Sequence, residues 1–164
     1  MKSTAFSPIF MALAISSCSP ISPETEQAEP DLVIQDVSWA FARGYGWAGL
    51  LDCEITIQNI GKGPFRCLLY VSATSAKQFQ ESGRFSGSTL VYADFTSSPI
   101  EPKLIAAGEV IHVRKFAEIP TDTNIVLFYI NTNDWDFRPG DVPLPTCAES
   151  DYDNNFYELV LDFP

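Results

Sequence analysis

Hydrophobic residues recur along this chain mostly at every second position, in short runs broken by glycine, proline and asparagine. The clearest run is LDCEITIQN, in which Leu51, Cys53, Ile55 and Ile57 share one face and Asp52, Glu54, Thr56 and Gln58 the other. That alternation predicts a half-buried strand of an antiparallel sheet, ended by the turn residues of NIGKGP. Upstream, DLVIQDVSWAF alternates with a change of parity: Leu32 and Ile34 are in phase, then Val37, Trp39 and Phe41. A one-residue bulge near Asp36 would return both sets to one core side. The ARGYGWAGL stretch that follows reads as a glycine-rich loop.

FRCLLYVSAT and TNIVLFYIN are nearly continuous apolar runs, as expected of central strands. Residues 74–98 are rich in serine, threonine and glycine, with one short strand predicted at Thr89–Ala93. LIAAGEVIHVRKF turns at Gly108 and sends Ile111 and Val113 inward. NFYELVLDF closes the pattern with Tyr157, Leu159, Leu161 and Phe163 inward. No stretch sustains a helical period. About seven short strands separated by turn signals predict an all-β, antiparallel β-sandwich over residues 31–164.

The ends add location. In MKSTAFSPIFMALAISSCSP, Lys2 precedes an apolar run from Phe6 to Ile15, the layout of an export signal. That run falls short of the ~20 apolar residues needed to span a bilayer. Ile15-Ser16-Ser17-Cys18 resembles the lipobox of bacterial lipoprotein signal peptides. The resemblance implies that residues 1–17 are removed and that Cys18 becomes a lipidated first residue. Several acyl chains on one residue give stable anchoring where a single chain binds only reversibly. Ser19, in place of aspartate, implies the outer membrane in a Gram-negative host. Residues 18–30 are rich in proline, serine and glutamate without periodicity, and read as a flexible tether. The net charge of −11 argues against a nucleic-acid partner, which rewards basic patches.

Four segments in order carry a further resemblance: PDLVIQDVSW, ITIQNIGKGPF, the AGE of IAAGEVIHV, and ESDYDNNFYELVL. The set resembles the cell-adhesion-related domain found in bacteria (CARDB), over about residues 30–164. The resemblance implies a seven-stranded immunoglobulin-like sandwich, with Glu149, Asn154 and Asn155 at the family's acidic and double-asparagine positions before the last strand. The chain departs from the family in NDWDFRPGDVPLPTCA, residues 133–148, which lengthens the last hairpin connection. Long surface insertions cost little extra closure entropy and are frequent seats of function.

An exported chain meets an oxidising compartment, so a disulfide is expected among Cys53, Cys67 and Cys147. In the implied topology Cys67 and Cys147 sit at one end of the sandwich, which favours that pair and leaves Cys53 a buried thiol; Cys53–Cys147 is the alternative. Catalysis is poorly supported, because the single histidine, His112, lies on the polar face of a strand with no adjacent nucleophile. No nucleophile-elbow, phosphate-loop, zinc or dinucleotide pattern is present.

Calcium is the more serious chemistry. Asp151-x-Asp153-x-Asn155 opens like an EF-hand loop, but Phe156 stands where that loop needs glycine. A looser oxygen site could draw on Asp134, Asp136, Asp141, Asp151 and Asp153; the plainer reading is a turn in which Asp and Asn bond their own backbone. Tyr45, Trp47, Trp135, Phe137 and Tyr152 could form an aromatic platform for a sugar or protein, or cap the open ends of the sandwich. No cofactor is expected beyond the calcium option. These readings converge on a monomeric, lipid-anchored, non-enzymatic envelope module that binds protein or polysaccharide through end loops. The alternatives are a calcium-stabilised structural module and a carboxylate-dependent glycoside hydrolase.

Overall fold

The computed structural model describes residues 28–45, 48–85, 88–130 and 149–162. They form two antiparallel sheets facing each other. One has strand order β1-β2-β5, from Leu32–Tyr45, Ala48–Asn59 and Val110–Pro120. The other has order β4-β3-β6-β7, from Thr89–Tyr92, Leu69–Ser75, Ile125–Ile130 and Phe156–Val160. This is an immunoglobulin-like sandwich whose fourth strand pairs with the third instead of extending the β1-β2-β5 sheet.

The period-two pattern dictates which side chains meet. Leu51, Cys53, Ile55 and Ile57 of β2 are all fully buried, against Val71, Val126, Phe128 and Ile130 of the opposite sheet. Burying each large aliphatic or aromatic side chain contributes roughly 1.5–3 kcal/mol, which makes this inter-sheet layer the main stabilising term. The parity change in β1 is a bulge: Ile34 pairs with Ile57 and Asp36 with Thr56, leaving Gln35 over. Leu32, Ile34 and Val37 are thereby all buried.

A second register shift, between Phe41 and Arg43, corrects the loop expected at ARGYGWAGL. Both strands run on to the pair Tyr45–Ala48, so most of this stretch is hairpin. Gly44 and Gly49 pair across that hairpin, and a Cβ on Gly49 would lie 3.0 Å from Cε2 of Phe41. The ring covers the strand where a larger residue would displace it.

A short helix, α1 (Ala76–Ser82), corrects the expectation of no helix. Ser75 and Gln78 form a reciprocal capping box: Gln78 N donates to Ser75 Oγ at 3.1 Å, and Ser75 N to Gln78 Oε1 at 3.4 Å. Gly83, at φ 66°, closes the C-terminus in the left-handed region that glycine enters without strain. Phe79 of this helix packs with Phe85, Leu127 and Tyr129 as a small second cluster on the outer face of the four-stranded sheet. Ser75→Ala is expected to cost about 1 kcal/mol in chemical denaturation, the usual size of a lost N-cap.

Candidate functional site

The ESDYDNN stretch and the start of β1 meet across more than a hundred residues of chain. Asp151 Oδ1 accepts from Asp153 N at 2.9 Å, an Asx turn that leads into a 3-10 turn over Asp153–Asn155. Glu149 N donates to the hydroxyl of Tyr152 at 3.0 Å, which directs the tyrosine's polar tip onto its own segment. The turn then reaches outward. Ser150 Oγ donates to Asp31 Oδ2 at 3.0 Å, and Asn154 Nδ2 to Asp31 Oδ1 at 2.7 Å. Ser150 N donates to the carbonyl of Pro30 at 3.0 Å. Glu149 is buried, and its Oε2 accepts from Leu32 N at 3.3 Å and from Asn155 Nδ2 at 3.0 Å.

The other half of the junction is built on Asn59, which is fully buried at the end of β2. Its Oδ1 accepts from Asp31 N and Gly61 N, each at 3.1 Å. Its Nδ2 donates to the carbonyls of Gly63 at 2.9 Å and Ile105 at 3.2 Å. Gly63 N and Ile60 N donate to the carbonyls of Glu29 and Asp31 at 2.9 and 2.7 Å. The segment 28–31 lies directly on this turn. A Cβ on Gly63 would fall 1.7 Å from the Ala28 oxygen, and one on Gly61 2.5 Å from Asp31 N. Glycine is required here for close backbone approach.

Burial pushes the Glu149 carboxyl up to about 8; the bonds from Asn155 and Leu32 oppose that shift, and Asp31 and Asp151 reinforce it. The shift favours the protonated form of Glu149 in the folded junction. Burial, with Glu149 beside it, also raises the Tyr129 phenol. Among the described residues no group of three histidine, cysteine or acidic side chains is placed to hold a metal ion.

Of the other residues singled out in the sequence, Tyr45 ends β1. Cys18, Trp47, Asp134, Trp135, Asp136, Phe137, Asp141 and Cys147 lie outside the described residues. Cys53 is a free, buried thiol, held by burial at about 12. Cys67 packs half-buried against the core just before β3. His112 is exposed, with Nδ1 3.1 Å from Thr56 Oγ1.

Two features went unread in the sequence. Lys115 continues the inward parity of Ile111 and Val113 and is buried, its Nζ 2.9 Å from Thr89 Oγ1. Burial lowers its amine to about 8, with Cys53 directly across the β2–β5 ladder. The alternation of VIHVRKFAEI already placed this lysine inside. On the opposite face of that sheet, Arg114 clasps Asp52 through two nitrogens and lies 5.1 Å from the Phe116 ring centroid. Together with Ser38, Glu54 and His112, Arg114 and Asp52 line a shallow depression of ≈ 470 Å³.

No family of known proteins, no curated protein and no solved structure matches this chain.

Proposed function

We propose that this chain is a lipid-anchored, non-enzymatic module of the bacterial cell envelope that binds a protein or polysaccharide through loops at one end of its sandwich. The observation that carries the reading is the lipobox-like Ile15-Ser16-Ser17-Cys18 followed by a proline-rich tether. The CARDB resemblance supports an adhesion or scaffold role for a domain of this fold. The lead at residues 28–31, the turn after β2 and the ESDYDNN turn meet at one end, which favours that end as the meeting place of anchor and ligand. The reading includes a Cys67–Cys147 bond, in keeping with the free thiol of Cys53. An outer-membrane location follows from Ser19 in a Gram-negative host.

The anchor is tested by metabolic labelling with a radioactive fatty acid. Label is expected on the wild type, sensitive to inhibition of lipoprotein signal peptidase and abolished in Cys18→Ala. Label that persists in Cys18→Ala removes the anchor from the proposal. Binding is tested by deleting residues 134–146, which should leave cooperative unfolding in place while abolishing capture of envelope components; unchanged capture would defeat the end-loop reading.

A further inference from the structure

The ESDYDNN turn holds one group whose chemistry exceeds what a turn needs. An Asx turn and a 3-10 turn are satisfied by backbone and by Asp151, yet a carboxyl has been buried beside them. Glu149 Oε2 touches the backbone N–H of Leu32 and the amide of Asn155, joining the incoming chain to the start of β7. Among the described residues, titratable groups face Glu149 from the lead, the turn and β6. They are Asp31 from the lead, Asp151 and Tyr152 from the turn, and Tyr129 from β6, with Asp153 acting on that same tyrosine.

We propose that Glu149 is a proton-operated clasp: protonated, it holds residues 28–31 against the β2–β3 turn and the ESDYDNN turn, and ionised, it lets that lead peel away as far as Leu32. The geometry makes the two states unequal. With its proton, Glu149 accepts both bonds without placing a charge beside Asp31 and Asp151. Without it, a charge is left in a buried position, which burial disfavours first and the nearby Asp31 and Asp151 disfavour further.

The direction in pH follows from linkage. A carboxyl raised from an ordinary value near 4.5 to about 8 binds its proton more tightly in the closed junction than in the open one. Closure is therefore tightest in acid, weakens as pH rises through that window, and levels off above it. Opening would free residues 28–31, adding about 13 Å of extended chain to whatever precedes them. Opening stops at Leu32, whose side chain is fully buried in the inter-sheet core and holds β1 in place, and the middle of the β2–β5 ladder lies away from these bonds.

Amide hydrogen exchange by NMR tests the clasp, corrected for the intrinsic pH dependence of exchange. The reporters are the N–H groups of Leu32, Ile60, Gly63 and Ser150, each of which donates into the junction. Ile55 and Val113, in the middle of the β2–β5 ladder, serve as internal references. In the wild type, protection at the four reporters is expected to fall by about tenfold or more between about pH 5 and pH 8, while the references stay level. In Glu149→Gln, which keeps an acceptor and cannot ionise, the reporters should be flat. In Asp31→Asn the fall should be shallower, because one repelling charge has gone.

Parallel reporter profiles in the wild type and Glu149→Gln would overturn the proposal, as would a fall shared by the references. Should the glutamine variant fail to fold, the carboxyl carbon shift of Glu149 in the wild type decides: a midpoint at an ordinary carboxylate value sinks the clasp.

Discussion

Asn59→Ala is expected to lower the free energy of unfolding by about 3–5 kcal/mol, a large effect for a polar substitution. The reason is saturation. An asparagine side chain offers two donors and two acceptor sites, and Asn59 spends all four on backbone groups of three separate segments. Alanine would strand the N–H groups of Asp31 and Gly61 and the carbonyl of Gly63, while the Ile105 carbonyl keeps its bond from Phe65 N. A stranded buried group costs about 1–3 kcal/mol, partly recovered where water can reach it. Asn59→Asp separates hydrogen bonding from shape. It keeps both acceptor bonds but turns an oxygen toward two carbonyls, so it folds well only while protonated. Its stability deficit should therefore be smaller at about pH 4 than at pH 7, the sign expected for a carboxyl whose pKa is raised in the folded state. Chemical denaturation followed by circular dichroism at both pH values measures this. A loss under about 1 kcal/mol for Asn59→Ala would show that Asn59 does not organise this end of the domain.

Lys115→Met should move stability the other way. A buried amine whose folded value lies near 8 instead of 10.5 penalises the native state wherever both folded and unfolded chains carry the charge. That penalty is complete at pH 7. The unfolded chain binds the extra proton between about 8 and 10.5, so the lysine's contribution becomes less unfavourable as pH rises through that interval. Methionine matches the stem and carries no charge. Thr89 is exposed and can turn its hydroxyl to water once the amine is gone. The expected gain is about 1–3 kcal/mol at pH 7, reduced at pH 10 as the wild type sheds its proton. Cys53, held at about 12, contributes an opposing slope above pH 9 in both proteins. Because Lys115 lowers that thiol, the slope extends to higher pH in the variant, so the comparison is best made at or below pH 9 as well as at pH 10. A variant less stable than wild type at both pH values would show that Lys115 holds the two sheets together instead of straining them.

How far each feature could be read in advance follows from its physics. Period-two burial in β2 and the bulge at Gln35 were legible because each depends on a few adjacent side chains. The hairpin at ARGYGWAGL was not, because glycine signals loops and strands alike until a ring such as Phe41 is seen lying over Gly49. The α1 helix was missed although Ser75-Ala76-Lys77-Gln78 spells a capping box and Gly83 a stop, since fewer than two turns of helix leave no period to detect. The ESDYDNN turn was legible as a turn because its Asx bond spans two residues. Its attachment to Asp31 joins side chains 119 and 123 positions apart, and no local pattern encodes that. Lys115 shows the remaining kind of failure. Parity puts it inside, against the general cost of burying an ammonium.

The junction at Gly61 and Gly63 divides its demands unevenly between its two sides. What the lead contributes there is chiefly main chain: the carbonyls of Glu29, Pro30 and Asp31, with Asp31 alone adding a side chain. What the receiving turn contributes is room, and only glycine leaves enough of it. Residues 28–30 are thus interchangeable in a way the receiving turn is not. The domain behaves like a socket for main chain, so substitutions at residues 28–30 that keep the backbone path should leave the junction intact as long as Asp31 is kept.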